Sequence, residues 1–308
     1  MIEAPSDSSS AASRAQLQPT LVTADDAPLT IIRPVRGWRS LGLRDLWPYR
    51  ELFYFLTLRD LKVRYRQTVI GVAWAVLKPF IQMVVFTVFF GKLAGLSSDG
   101  APFAVFSFAA LIPWNLFQSA LTQASMSLTT NQTLITKVYF PRLIIPIAST
   151  LSNVVDFLIS CAVMAGLMAY YHVVPTVWIA VLPLLFLLTM ATALAAGLWL
   201  AALNARYRDI QYVSAFLVQS WFFLTPVVYS AGLLPARFTF IYGLNPMVGV
   251  VQGFRSALIG SATHGHTAHV AALHVGPLLG LSVGIVLAML VGGLAYFRRT
   301  ETIFADVV

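Results

Sequence analysis

Residues 176–202 read TVWIAVLPLLFLLTMATALAAGLWLAA and carry no charged side chain. A helix needs about 20 apolar residues to cross the roughly 30 Å hydrocarbon core of a bilayer. This stretch is therefore long enough to span a membrane. Other runs of comparable length occupy 69–91, 103–126, 144–170, 210–229 and 273–297. Together the runs predict an all-α membrane protein with six transmembrane helices.

The composition indicates that lipid solvates much of this chain. Hydrophobic residues make up 58% and charged residues 10% of its 308 positions, against roughly 45–50% and about 25% in soluble domains. A soluble core of this size could not bury so much apolar surface.

The net charge is +8, and ten of the twenty Lys and Arg residues precede Thr68. Basic residues beside a membrane segment indicate the cytoplasmic surface with its anionic head groups, and we expect no nucleic-acid partner.

Two segments precede the first predicted span. Residues 1–37 are rich in small and polar side chains, contain no apolar run resembling a signal peptide, and are expected to form a disordered tail. Residues 38–67 are expected to form an amphipathic helix on the cytoplasmic membrane surface. Its apolar side chains recur at helical spacing, namely Tyr54, Leu58, Leu61 and Tyr65. Its cations fall on another face, namely Arg59, Lys62 and Arg66.

The segment 230–272, between the fifth and sixth predicted spans, is apolar but repeatedly interrupted by Gly and Pro. Pieces of about 10–14 residues suit re-entrant or interfacial helices better than full crossings. We expect two short helices here, near 233–243 and 246–259, that enter the bilayer from one side. The transmembrane domain as a whole is predicted to cover 68–299, and residues 300–308 a cytoplasmic tail.

The distribution of cations predicts the orientation, because loops that stay in the cytoplasm carry an excess of Lys and Arg. If the N-terminus lies in the cytoplasm, the cytoplasmic loops and tail carry Lys137, Arg142, Arg206, Arg208, Arg298 and Arg299. The opposite side carries Lys92, Arg237 and Arg255. We therefore expect both termini to lie in the cytoplasm.

The motifs of common enzyme classes are missing from the sequence. There is no phosphate-binding G-x-x-x-x-G-K-[ST], no His-Glu-x-x-His, and only one cysteine. The spacing of four histidines matches no metal motif, and a solvated loop is the favoured interpretation of His264, His266, His269 and His274. We expect no catalytic residue and no metal in this chain.

Asp156 is an acidic residue placed deep in the third predicted span. It shares one helical face with Ser149, Asn153 and Ser160. A charge there should turn away from lipid, toward the bundle interior or a watery cavity. Two interpretations remain open, a proton or ion relay and a network that packs helices or lines a channel. We expect Asp156 to have no basic partner in another span, which favours the second.

Aromatic residues cluster toward the predicted external side. The row comprises Trp221, Phe222, Phe223, Tyr229, Phe238, Phe240 and Tyr242. An interfacial belt of aromatic residues is common in membrane proteins and needs no substrate. The alternative is a row of rings along which sugars or a lipid-linked head group slide. Both interpretations stay open.

Three stretches together resemble a known family. Residues 59–66, RDLKVRYR, followed by Gly71, Trp74 and Pro79, resemble the entry to the first span of type-2 ABC exporter permeases, closest to those for bacterial polysaccharide and polyol-phosphate export. The segment after the second span is also similar, at Asn131, Leu134, Ile135, Lys137, Phe140, Pro141, Arg142 and Pro146. The later loops 204–210 and 244–246 agree as well. The resemblance covers about residues 45–298.

The resemblance implies a homodimer in the bacterial inner membrane, with two copies of a separate ABC ATPase subunit that bind ATP and Mg. It implies a substrate polymer built on undecaprenyl diphosphate, of O-antigen, capsule or teichoic acid type. Segment 127–143 would then couple the spans to the ATPase. Export of a drug or lipid is the alternative within the same class. An ion-coupled transporter or a membrane glycosyltransferase would need charge pairs or an acidic cluster that we do not find.

The implied sites fall into three groups. Contact with the ATPase is expected at Asn131, Leu134, Lys137, Phe140, Pro141, Arg142, Arg59 and Asp60. Binding of the lipid diphosphate at the cytoplasmic entrance is expected at Lys137, Arg142, Arg59 and Arg64. The channel and its exit gate are expected to include Asp156, Trp221, Phe222, Tyr229, Arg237, Tyr242 and Arg255.

Overall fold

The computed structural model describes residues 43–66, 71–207, 209–230, 239–260 and 266–301, and within them all regular structure is helical. The α-helices are α1 (Arg50–Arg66), α2 (Gly71–Phe86), α3 (Phe103–Thr130), α4 (Gln132–Lys137), α5 (Ile144–Leu151), α6 (Val154–Tyr170), α7 (Leu182–Arg206), α8 (Ile210–Phe223), α9 (Thr239–Gly243), α10 (Pro246–Ile259) and α11 (His266–Glu301). A 3-10 helix, Leu43–Tyr49, precedes α1, and another, Val177–Val181, precedes α7. A π-helix, Thr87–Leu93, continues α2.

Five segments of the described residues are long and apolar enough to cross a membrane. They are Ala73–Leu93, Phe103–Thr130, Ile144–Tyr170, Val177–Arg206 and Gly276–Glu301. These segments correspond to every predicted span except the fifth.

The predicted fifth span, 210–229, is a shorter helix in the structure. Helix α8 has 14 residues, which at 1.5 Å per residue gives about 21 Å, short of the hydrocarbon core. It ends at Phe223, and Pro226 follows in a turn, because proline cannot continue a helix. The six-span count is therefore not confirmed.

Helix α3 lies at the centre of the bundle. Of its most apolar window, 83% is buried, against 11% for the span Ala73–Leu93. It packs against α2, α5, α6, α7, α8 and α10. The contact with α7 is close, since a Cβ added to Gly197 would lie 2.6 Å from the Cβ of Ala124. Small residues permit such approach where lipid gives helices no hydrophobic reason to associate.

Helix α1 packs against the bundle through Leu56, which does not belong to the predicted apolar stripe. Leu56 is buried together with Leu143 and Phe297, in an apolar core at the α1 end of the molecule. Tyr54, from the predicted apolar stripe, is 65% exposed. Leu58, Leu61 and Tyr65 are half-buried, and the role of the stripe as a membrane-facing surface stays a prediction. Leu56 and Asp60 share a turn-related face, so the side of α1 that meets α5 is part apolar and part charged.

The segment after α8 is described in part. The first predicted re-entrant helix, 233–243, falls mostly outside the described residues, which include only α9 of it. The second, 246–259, coincides with α10, and nearly all of its side chains are buried against α3, α7 and α11. Asn245 begins α10 by accepting a hydrogen bond from the Met247 amide, and Pro246 occupies the first turn, as expected at a helix start. Their re-entry into the bilayer stays a prediction. The predicted tail 1–37 lies outside the described residues.

Candidate functional site

Helix α1 and the junction of α5 with α6 are joined by a buried-to-half-buried charge network. Ser152 and Asn153 form a turn that separates α5 from α6 within the predicted third span. The Arg64 guanidinium donates to the Asp156 carboxylate, to Asn153 Oδ1 at 3.2 Å and to Ser152 Oγ at 3.4 Å. The Tyr65 hydroxyl donates to the other Asp156 oxygen. Asp156 thus has a basic partner, supplied by α1 instead of a second span.

The same network keeps the Tyr65 hydroxyl protonated. Burial raises the pKa of the Tyr65 hydroxyl above its ordinary value, and the hydrogen bond to Asp156 adds to the shift. Loss of the proton would place two negative charges side by side. Tyr65 is therefore a neutral donor at physiological pH.

A second set of contacts joins α1 to the ends of α3 and α5. Arg59 Nη2 donates to Asn131 Oδ1 at 2.7 Å and pairs with Asp60 Oδ1 at 2.7 Å. Ser149 Oγ donates to Asp60 Oδ2 at 3.3 Å. Three residues predicted to contact an ATPase, namely Arg59, Asp60 and Asn131, therefore lie together. We name Arg59, Asp60, Arg64, Tyr65, Asn131 and Asp156 the α1 cluster.

The remaining predicted coupling residues lie around α4. Leu134 and Phe140 pack into the apolar core at the α1 end, and Lys137 is exposed. Beyond them Tyr139 is 85% exposed. Arg142 is held by α11, since its amide donates to Glu301 Oε1 at 3.1 Å and its guanidinium to the Glu301 carbonyl. The predicted entrance arginines therefore have separate partners, Asn131 for Arg59, Asp156 for Arg64 and Glu301 for Arg142.

A cavity of about 200 Å³ opens between α1, α2, α3 and α6. Arg64 and Asp156 line it, together with Lys78, which the sequence analysis missed. Lys78 lies inside the candidate span Ala73–Leu93. Its position within the first predicted span is a signal in the sequence, because ionisable residues inside spans are rare and usually mark a functional site. A half-buried polar face of α3 also lines the cavity, formed by Asn115, Gln118 and Ser119.

The opposite end of the bundle holds a different polar cluster. Arg255 is 4% exposed and donates to the carbonyls of Val227, at 2.7 Å, and Tyr229, at 3.1 Å. Its guanidinium carbon lies 3.7 Å from the Phe106 ring centroid, a close cation–π contact. The Tyr229 and Tyr242 hydroxyls are hydrogen-bonded to each other. We name Tyr229, Tyr242 and Arg255 the α10 cluster.

Two rings of the predicted aromatic row pack on rings of helix α3. Trp221 packs on Phe117 with ring centroids 5.1 Å apart and donates to Asn245 Oδ1 at 2.8 Å. Phe222 packs on Trp114 at 5.3 Å. Both rings are partly buried and pack against the apolar core of the chain. Arg237 and Phe238 lie outside the described residues.

The part of the chain that the structure describes contains no set of side chains arranged to bind a metal ion. No group of three His, Cys, Asp or Glu side chains there could hold an ion. His264 lies outside that part, and the side chains of His266, His269 and His274 are not described, although these three residues lie in helix α11 and not in the predicted loop. The contacts that hold the two clusters together are ion pairs, hydrogen bonds and a cation–π contact.

Comparison with known proteins assigns the family. The family model described as ABC-2 type transporter matches residues 51–259. The chain belongs to this family. The matched range contains both the α1 cluster and the α10 cluster, and it confirms the resemblance found in the sequence. Its curated relatives are named as export permeases or as a transport protein.

Several curated relatives are transport proteins for surface glycans. The O-antigen export system permease protein RfbA of Myxococcus xanthus is 31% identical over 217 residues, which cover 70% of this chain and 82% of the relative. RfbA of Klebsiella pneumoniae is 24% identical over 84% of this chain and 95% of its own length. The polysialic acid transport protein KpsM of Escherichia coli is 24% identical over a match that covers 66% of this chain and 80% of KpsM.

Proposed function

We propose that this ABC-2 permease is the membrane subunit of an ATP-driven exporter that moves undecaprenyl-diphosphate-linked polysaccharide, of O-antigen or capsule type, across the bacterial inner membrane. The observation that carries the proposal is the similarity to O-antigen export permeases over 84% of the chain. The capsule-type relative supports the same substrate class. Such a glycan is too polar to cross lipid unaided.

In this proposal the α1 end of the bundle faces the cytoplasm. Arg59 bonds Asn131 at the end of α3, and Arg142 bonds Glu301 at the end of α11, so these helix ends lie at one end of the molecule. Basic residues cluster at that end, at the ends of α4, α7 and α11 and in the loop after α4, namely Lys137, Arg142, Arg206, Arg298 and Arg299. The positive-inside rule then places both termini in the cytoplasm. The α10 cluster faces outward.

The exposed segment around α4 is the proposed docking site for the ATPase subunit, which binds the ATP and Mg. Lys137 and Tyr139 project outward, while Ile135 and Phe140 are buried and fix the segment to the bundle. Arg142 ties it further to α11. A segment held this firmly transmits a push from a partner to α1 and α3 as a rigid unit. Two permeases and two ATPase subunits would form the transporter.

The channel and its gates are proposed to lie between these ends. Lys137, Arg142, Arg59 and Arg64 attract the lipid diphosphate to the entrance, with Arg64 deepest in the bundle. The exit gate involves Trp221, Phe222, Tyr229, Arg237, Tyr242 and Arg255, and Asp156 lines the path. In the described part of this set, Arg255 holds the turn after α8 in place, so its role is to shape the gate.

Deletion of the gene in its own bacterium tests the function. Surface polysaccharide should disappear while lipid-linked polymer accumulates inside the cell, and a plasmid copy should restore export. Normal surface polysaccharide with altered drug or lipid resistance would overturn the proposal. Transport of the polymer into sealed vesicles by the purified chain, with no ATPase present, would overturn the ATP-driven mechanism.

A further inference from the structure

The cavity beside the α1 cluster contains an excess of positive charge within the membrane domain. Arg64 and Lys78 supply two cations, and Asp156 supplies one carboxylate. Arg64 pairs with Asp156, and none of the ion pairs among the described residues involves Lys78. Lys78 lies five residues beyond Ala73, about 7.5 Å along the helix from the start of its span. A cation placed there is costly unless it has a counter-ion or water.

Central helix α3 adds neutral polar groups on the facing wall. Most of its side chains are fully buried, but Asn115, Gln118 and Ser119 are half-buried and line the cavity. Their spacing of three and four residues places them on one face. Amides and a hydroxyl on that face can bond phosphate oxygens or sugar hydroxyls. The wall is therefore polar where packing alone would favour apolar side chains.

We propose that this cavity binds the phosphate group of a polyprenyl-linked glycan, with Lys78 as its main cationic ligand and Arg64 as the second. The inference rests on the proposed function and adds a defined site to it. Charge-assisted hydrogen bonds from ammonium and guanidinium groups are strong contacts for phosphate oxygens. The α3 amides and hydroxyl contact the adjoining group.

The volume and surroundings of the cavity fit a lipid head group. About 200 Å³ is smaller than the roughly 300–1,000 Å³ of pockets for drug-sized ligands, so a phosphate with its first attached group fits and a polymer does not. Helix α2 exposes apolar side chains next to the cavity, namely Trp74, Leu77, Phe80 and Ile81. A prenyl chain can lie along that exposed face while its phosphate enters the cavity.

Binding to the purified full-length chain in nanodiscs of phosphatidylcholine tests the site. The probe is radiolabelled undecaprenyl diphosphate. Replacing Lys78→Gln should weaken its binding by roughly tenfold, because contacts to charged groups are worth about that much. Lys78→Arg should retain most of the binding. The matched control is Lys92→Gln, because Lys92 is exposed, as Lys78 is, but lies near the other end of the same span and does not line the cavity. Its binding should stay within about twofold of wild type.

Three results would overturn the assignment. The first is equal binding by the Lys78→Gln and Lys92→Gln variants. The second is equally tight binding of undecaprenol, which has no phosphate. The third is equal displacement by phosphatidylglycerol, which would make the cavity a general phospholipid site with Lys78 as its anchor. The gene deletion described above tests the export function separately, so failure of the site and failure of the function give different results.

Discussion

The two polar clusters at opposite ends of the bundle are built from different partners. In the α1 cluster, charged side chains from α1 meet side chains of α3, α5 and α6, and Arg64 and Asp156 balance each other. In the α10 cluster, Arg255 is buried and binds main-chain carbonyls and the Phe106 ring. Charged side chains that are partly exposed can separate and be rehydrated, whereas a buried guanidinium cannot leave without exposing two carbonyls. The α1 cluster is therefore suited to a moving joint and the α10 cluster to a fixed one.

The largest effect is expected from Arg255→Met. The substitution leaves the Val227 and Tyr229 carbonyls without their donor, and each such loss costs about 1–3 kcal/mol. We expect the variant to lose roughly 2–4 kcal/mol of stability and to unfold at a clearly lower temperature in detergent. Scanning fluorimetry on the purified chain measures the change.

Arg66→Met is the matched control, because Arg66 is an exposed arginine on α1. Its unfolding temperature should stay close to that of wild type. If the Arg255 and Arg66 variants unfold at the same temperature, the α10 cluster is not a fixed joint and the contrast between the two ends fails.

Features that depend on local sequence could be predicted, and contacts between distant residues could not. Length and hydropathy located the segments that the structure shows as long apolar helices, and the pair Asn245–Pro246 located the start of α10. The fifth predicted span is shorter because Pro226 interrupts an otherwise apolar run. The partner of Asp156 lies 92 residues away along the chain, and no periodicity brings such residues together.

Lys78 and Arg255 also show which roles of a cation the sequence can and cannot reveal. Both are cations among apolar residues, yet the sequence analysis assigns no role to Lys78, and it places Arg255 on the external side as part of an exit gate and not as a buried residue. Its burial results from the fold of the turn after α8, which supplies carbonyls that no side-chain pattern reveals. The cavity around Lys78 likewise needs four helices to exist.

The next effect concerns the exposed end near the α1 cluster. Tyr139→Ala removes a side chain that is 85% exposed from the proposed docking segment. Aromatic residues often dominate the binding energy of protein interfaces. We expect roughly tenfold less ATPase subunit to co-purify with the variant permease at limiting ATPase concentration.

Tyr170→Ala provides the control, since Tyr170 is 76% exposed at the end of α6, away from α4. Co-purification should be unchanged in that variant. Equal losses in both variants, or none in either, would remove Tyr139 from the interface and leave the α1 end without its distinguishing contact.

The coupling free energy between Arg64 and Asp156 should be about 1 kcal/mol, the upper end of the range for partly exposed ion pairs. The variants Arg64→Gln, Asp156→Asn and their combination form a double-mutant cycle, measured by thermal unfolding of the full-length chain. We expect the double variant to be more stable than the sum of the single losses predicts. Additive losses would show that the two charges do not stabilise each other.

The smallest effect is expected from Tyr65→Phe, which removes one partly exposed hydrogen bond to Asp156 and should cost about 0.5 kcal/mol at neutral pH, the lower end of the range for a hydrogen bond. The pKa of Tyr65 is raised in the folded protein, so its contribution is fully present below the ordinary tyrosine pKa of about 10. Above that pH the unfolded chain ionises first, and the contribution is lost as pH rises toward the folded pKa. The stability difference between wild type and variant should therefore shrink above about pH 10.

Tyr54→Phe separates this hydrogen bond from the general effect of alkali, because Tyr54 lies on the same helix and is 65% exposed. Its stability should match wild type at neutral pH. A constant difference between wild type and the Tyr65 variant from pH 7 to 11 would mean that the phenol is not tied to Asp156. The α1 cluster would then consist of its two arginine contacts alone, and a joint with fewer contacts would open more easily than the α10 cluster by an even wider margin.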